Sequence, residues 1–216
     1  MREKYMQQLR QLNNLLIQMG HLIEEAIEMA ITALMKQDVE LAKKAIAFDQ
    51  NIDDMEKEIE NLCLKILLCQ QPVASDLRFV SAALKMVTDM ERIGDHASDI
   101  SEITILMADA PYIKKLEHIE RMAVETTDMV IKSIEAYIEN NAPKAYKVME
   151  QDDIVDDLFM TTKEELIRLI NENINNGEQA TDLLMVAKYF ERIGDHATNI
   201  AEWVIFSIEG KMVTAQ

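Results

Sequence analysis

The sequence has few of the residues that break regular secondary structure. Among its 216 residues there are only 5 Gly and 3 Pro, about a third of their usual combined share. An all-β fold needs many turns, and this chain has little room for them. The composition therefore favours long helices.

Positive charge is also scarce. Lys and Arg together number 22 against 39 Asp and Glu, which gives a formal net charge of -17. The negative electrostatic potential of such a chain repels phosphate backbones and anionic membrane surfaces. Direct binding of nucleic acid is therefore disfavoured.

Cysteines and long apolar runs are similarly limited. Cys63 and Cys69 are the 2 cysteines, and their spacing fits neither a CxxC motif nor a disulfide framework. The first residues lack the apolar core of a signal peptide, and no stretch reaches the roughly 18 apolar residues of a membrane span. These features predict a soluble cytoplasmic protein with reduced cysteines.

Apolar residues recur at helical spacing through most of the chain. The pattern predicts a first helix over about 4–36 and a second helix N-capped by Asp38. The second helix should end before Pro72, because proline lacks the backbone N–H donor. A third helix is predicted from about Ser75 to Met107, and breaks in the second half are predicted near 140–143 and 175–177.

The second half of the chain repeats the first. ERIGDHASDI at 91–100 recurs as ERIGDHATNI at 191–200 with eight of ten residues identical, and DQNIDD at 49–54 corresponds to DDIVDD at 152–157. Each half thus holds three long helices. We expect an all-α fold of two tandem, similar three-helix bundles with six long antiparallel helices, divided into residues 1–108 and 109–216.

Each half also contains two carboxylate pairs with a spacing of four residues. Residues four apart share one helix face, and neighbouring helices can bring two such pairs together. Four converging carboxylates repel, so protons or a cation must offset their charge. Oxygen ligands favour hard or borderline cations such as Mg, Mn, Ca or iron. The candidate metal ligands are Asp49, Asp53, Glu91, Asp95, Asp152, Asp156, Glu191 and Asp195.

A simpler interpretation of these pairs stays open. A carboxylate pair at this spacing is usually a solvated helix face, and a helical chain with 39 acids contains such pairs by chance. Arg92 and Arg192 precede Asp95 and Asp195 by three residues and can form ordinary helix ion pairs with them. The repetition of both pairs in both halves favours the metal interpretation.

Two further residue types accompany each acidic motif. His96 and His196 lie about 100° further round the helix than the preceding aspartates, so we interpret them as structural or supporting residues rather than metal ligands. Gly94 and Gly194 lie inside predicted helices, where glycine costs about 1 kcal/mol relative to alanine. A close approach by another helix or a metal explains that cost.

Three motifs together resemble the PhoU family over essentially the whole chain. They are the tandem ERIGDHA segments, the D-x-x-[IV]-D segments at 49–53 and 152–156, and QPVASDLR at 71–78. The resemblance implies two similar three-helix bundles. It also implies multinuclear metal clusters of iron, manganese, magnesium or zinc, because the acidic motif of the family falls on the eight candidate ligands.

The resemblance further implies a regulator and not an enzyme. PhoU-like proteins act negatively on phosphate uptake and on the phosphate-starvation response, and link a phosphate ABC transporter, through its ATPase subunit, to a phosphate-sensing histidine kinase. A homodimer is expected as well. The alternatives are a carboxylate-cluster metalloenzyme of the helical-bundle type and a purely structural helical adaptor.

The two halves differ in ways that bear on these expectations. The second half has NENINNGEQ in place of QPVASDLR, so any role of Pro72, Asp76 and Arg78 is confined to the first bundle. The two metal sites should not be equivalent either. The changes from the first to the second half are Asp99 to Asn199, Glu56 to Phe159 and Glu60 to Lys163.

Overall fold

Six long helices make up most of the protein. The computed structural model describes residues 2–213, and for Arg2 the backbone alone. The helices are α1 (Arg2–Lys36), α2 (Val39–Gln70), α3 (Ser75–Leu106), α4 (Glu117–Glu139), α5 (Ala142–Glu172) and α6 (Gly177–Glu209), with a 3-10 turn at Ile174–Asn176 before α6. The described residues include no strand, and the predicted all-α fold is confirmed.

Local chemistry explains where the helices begin and end. Asp38 is the N-cap of α2, as predicted, and its side chain accepts a hydrogen bond from the Leu41 amide at 3.0 Å. The C-cap of α4 is Asn140, which adopts the left-handed conformation with φ 55°. The next residue, Asn141, then caps α5. Asparagine tolerates both roles because its short amide bonds to nearby backbone groups.

The helices form two similar three-helix bundles in tandem. Helices α1, α2 and α3 pack together in the first, and α4, α5 and α6 in the second. Contacts of α3 with α6 and of α1 with α4 join the bundles, and one continuous apolar core runs through both. The predicted boundary after residue 108 lies in the connection between α3 and α4. The division into two separate domains stays a prediction.

A buried aromatic contact ties the first bundle to the second. Tyr137 on α4 stacks on Phe79 of α3 with ring centroids 4.3 Å apart, and its hydroxyl donates to the Phe79 carbonyl at 2.8 Å. This bond satisfies the polar tip of a fully buried ring. Across residues 2–213, no helix combines the length and apolar character of a membrane span.

Candidate metal centre

The predicted acidic pairs of the first bundle lie on adjacent faces of α2 and α3. Asp49 and Asp53 are one turn apart on α2, and Asp95 faces them from α3. One carboxylate oxygen from each of these three residues lies within 4.8 Å of the other two. All three side chains are half-buried. We call Asp49, Asp53, Asp95 and the neighbouring Glu91 the first cluster.

A glycine allows α2 to approach α3 this closely. A Cβ at Gly94 would lie 2.9 Å from Asp49 Oδ1 and 2.8 Å from Ile52 Cδ1. Gly194 has the same role in the second bundle, where a Cβ would lie 2.9 Å from Asp152 Oδ1. The repeated glycine therefore brings a carboxylate against the helix that carries the ERIGDHA segment.

Asp49 is the most electrostatically perturbed residue of the first cluster. Burial, together with the negative charges of Asp95, Asp53 and Glu91, raises the pKa of its carboxyl from 3.8 to about 6. Its Oδ1 atom is buried and has no hydrogen-bond partner. A buried, unpaired oxygen among like charges is costly. A bound cation would remove both costs, so these residues fit a hard metal ion.

Glu91 occupies a different place from the other three residues of the first cluster. It is outside the group of three converging oxygens, although burial and the charge of Asp95 raise the pKa of its carboxyl. The Arg92 guanidinium lies 3.6 Å from Glu91 and 3.0 Å from Asp95. The ordinary helix ion pair considered for Asp95 thus exists on the outer side of the cluster, beside the converging oxygens.

The second cluster consists of Asp152, Asp156, Glu191 and Asp195 and is more open than the first. Asp152 and Glu191 are half-buried, whereas Asp156 and Asp195 are exposed. Burial and the charges of Asp156 and Asp195 raise the pKa of the Asp152 carboxyl to about 7. Nowhere else in residues 2–213 do three acidic, His or Cys side chains converge as they do in the first cluster.

Lys188 distinguishes the second cluster further. Its ammonium donates to the Glu191 carboxylate and lies 5.4 Å from the centre of the Phe159 ring. The positive charge of Lys188 acts to lower the pKa of Asp156 and of Asp195, although burial keeps both raised. The first bundle has Thr88 at the equivalent position. Our sequence reasoning missed Lys188, and comparison of the two repeats at that position was the signal that could have found it.

The two histidines lie where α3 meets α6. Their ring centroids are 5.5 Å apart. His96 Nδ1 lies 3.3 Å from Asp99, and His196 Nδ1 lies 2.9 Å from Asp89 in the other bundle. Asn199 also donates to Asp89, at 3.1 Å. The change from Asp99 to Asn199 therefore avoids a contact between two carboxylates. Asp89 belongs to no sequence motif, so nothing in the sequence indicated that it would contact His196 and Asn199.

The QPVASDLR segment forms the connection from α2 to α3. Its first four residues lie between the helices, and Asp76 and Arg78 belong to the first turns of α3. Ala74 adopts φ 50° and ψ -117°, an unusual conformation for a residue with a Cβ. The second bundle has the 3-10 turn Ile174–Asn176 in its place. The segment is separate from the residues that form the first cluster.

Comparison with known protein families identifies a PhoU domain twice, at residues 16–104 and 119–204. The chain is 40% identical over 206 residues to the phosphate-specific transport system accessory protein PhoU homolog of Clostridium acetobutylicum, covering 95% of this chain and 94% of that protein. It is 39% identical over 213 residues to the homolog of the same name from Aquifex aeolicus, covering 99% and 96%.

Solved structures are similar over the same length. The crystal structure of PhoU from Pseudomonas aeruginosa superposes with a TM-score of 0.91 at 31% identity, covering 96% of this chain and 100% of that one. The phosphate transport system regulatory protein PhoU from Streptococcus pneumoniae gives a TM-score of 0.89 at 26% identity, covering 97% and 99%. Both similarities extend through the two bundles.

Proposed function

The chain belongs to the PhoU family, and from that premise we propose that it restrains phosphate uptake and the phosphate-starvation response when phosphate is plentiful. Relatives are named as accessory proteins of the phosphate-specific transport system, and a role in regulating phosphate transport follows from them. Two parts of the proposal are more specific than a role in phosphate transport: the regulation is negative, and it is linked to a histidine kinase.

The observation that carries metal binding is the convergence of three carboxylates in the first cluster. Asp49, Asp53 and Asp95 would hold the cation, and the charge of the nearby Glu91, which interacts with those of Asp95 and Asp53, would favour it further. When bound, the metal supplies compensating positive charge. Iron, manganese, magnesium and zinc are the candidates, and the carboxylate ligands suit the harder ions among them. Metal binding by the second cluster stays a prediction.

The charge of the chain supports partners with basic surfaces. A net charge of -17 favours contacts that weaken as salt screens them. We propose that the protein acts in the cytoplasm on the ATPase subunit of a phosphate transporter and on a sensor kinase. A homodimer is also proposed, on the family resemblance alone. Duplex DNA should not bind measurably.

The regulatory proposal is tested by deleting the gene in its native host. The expected result is a phosphate-starvation promoter that stays active in phosphate-rich medium and is repressed again by the wild-type gene. A deletion strain that represses normally, with no second copy of the family, would contradict the proposal. A purely structural adaptor predicts that result, as does a metalloenzyme whose turnover serves some other process.

The metal proposal is tested separately on purified protein. Elemental analysis of protein prepared without added metal should find bound metal in the wild type. The variant Asp49→Asn with Asp95→Asn should lose it from the first cluster. Glu58→Gln, an exposed change on the same helix as Asp49, removes one negative charge outside the cluster and should leave the metal content unchanged. Equal metal content in all three proteins would exclude the first cluster as the site.

A further inference from the structure

The second cluster contains a cation that belongs to the protein itself. Lys188 precedes Glu191 by one helical turn, and its ammonium pairs with that carboxylate. The Glu191 side chain is only 14% exposed. The Lys188 side chain is 36% exposed, so the pair lies partly in solvent but is screened less than a fully exposed surface pair. The lysine therefore compensates charge inside the cluster.

The aromatic ring of Phe159 helps to hold Lys188 in this position. The ammonium lies 5.4 Å from the ring centre, within the range of a cation–π contact. Phe159 comes from α5 and Lys188 from α6, so the contact spans the same pair of helices as the cluster. The second bundle thus has both a positive charge and a support for that charge.

Both features are absent from the equivalent positions of the first bundle. Thr88 corresponds to Lys188 at the displacement of the ERIGDHA segments, and Glu56 corresponds to Phe159 at the displacement of the acidic pairs on α2 and α5. Thr88 is exposed and neutral. The carboxyl of Glu56 lies close enough to Glu91 for their charges to interact. The first cluster therefore has more negative charge and no lysine at the position of Lys188.

We propose that Lys188 makes the two clusters differ in their affinity for a divalent cation: it supplies the compensating charge of the second cluster, so a divalent cation binds the first cluster tightly and the second only weakly. The inference rests on the proposed metal binding of the first cluster. A divalent ion entering the second cluster must either displace the ammonium from Glu191 or bind beside a like charge. The first cluster also has a cation beside it, Arg92, but the Arg92 side chain is 57% exposed against 36% for Lys188. Solvent screens its charge more, so these costs are smaller in the first cluster.

Reciprocal substitutions at the two equivalent positions test this inference. Mn²⁺ is titrated into chelator-treated protein, and bound ions are counted by the loss of the free-ion EPR signal. Wild type should show one tight class of site, with any second class weaker by about tenfold or more. Lys188→Thr should gain a second tight class. Thr88→Lys should weaken the first class by a similar factor, and Lys188→Arg, which keeps the charge, should behave as wild type.

The outcomes separate this inference from the proposal that it rests on. Two equally tight classes in wild type would overturn the role of Lys188 and leave metal binding intact. No binding by wild type, Lys188→Thr or the control would contradict metal binding itself. Melting in chelator tests whether Lys188 compensates the charge of the second cluster in the metal-free protein. Lys188→Thr should lower the melting temperature and Thr88→Lys should raise it, and an unchanged or higher value for Lys188→Thr would overturn the inference.

Discussion

Replacing Asp49 by Asn should stabilise the metal-free protein and destabilise the metal-bound one relative to wild type. Burial and neighbouring negative charges raise the pKa of this half-buried carboxyl from 3.8 to about 6. At about 1.4 kcal/mol per pKa unit, keeping it ionised in the folded protein at pH 7.5 costs at most about 3 kcal/mol, and about half of that when solvent screens a partly exposed carboxyl. The amide of Asn has nearly the same shape and no charge, so it removes that cost.

The effect should be visible by differential scanning calorimetry in chelator. In a protein of this size, 1 kcal/mol shifts the melting temperature by about 2 to 4 °C, so the variant should melt about 3 to 12 °C higher than wild type. Glu58→Gln has the same change in net charge at an exposed position of α2 and should change the melting temperature little. It separates relief within the cluster from a general charge effect.

The advantage of the variant should depend on pH with a definite sign. The pKa of Asp49 is higher in the folded than in the unfolded chain, so the folded protein binds more protons between pH 4 and about 6 and wild type becomes more stable as pH falls through that window. Near pH 4 the carboxyl is largely protonated in the folded chain. The difference between variant and wild type should therefore shrink as pH falls from 7.5 to 4.

Excess metal should reverse the order of the two proteins. A cation that binds only the folded wild type adds about 2.7 kcal/mol at a hundredfold excess over its Kd and about 4.1 kcal/mol at a thousandfold excess. The variant lacks one of the three converging ligands, and we expect it to bind no metal and gain no stability at these concentrations. Its advantage should vanish at or below about a hundredfold excess and be a deficit at a thousandfold excess. Melting shifts of the same sign in chelator and in thousandfold Mn²⁺ would refute the reasoning.

Two other substitutions test the geometry around the clusters. Gly94→Ala should lower both the melting temperature and the metal content of the first cluster, because the new Cβ would lie 2.9 Å from Asp49 Oδ1. The control Gly177→Ala places a Cβ where no atom lies within 4 Å, so it should not destabilise the fold. Melting and elemental analysis measure the two effects. Asn199→Asp should cost about 1 kcal/mol or more, measured by urea unfolding at pH 8, because it turns the hydrogen bond to Asp89 into carboxylate repulsion. Unchanged unfolding would contradict that contact.

Much of the candidate site could be predicted because its parts repeat in the sequence. The duplicated acidic pairs identified Asp49, Asp53 and Asp95, and the duplicated glycine indicated a close approach that the structure shows at Gly94. The spacing did not distinguish Glu91, which lies outside the three converging oxygens, from the other three residues, and its role as a metal ligand stays a prediction. Spacing places a residue on a helix face, but it does not give the reach of the side chain across to the next helix.

The sequence by itself determined the helices and their arrangement in two similar bundles, because apolar periodicity and end-capping residues such as Asp38 act over a few neighbouring positions. Only the tertiary structure decided which charges meet. Asp89 contacts His196 across 107 positions of the chain, and Lys188 lies over Phe159 from a different helix. Such contacts depend on how two helices rotate and approach when their apolar faces pack, and no local pattern encodes that geometry.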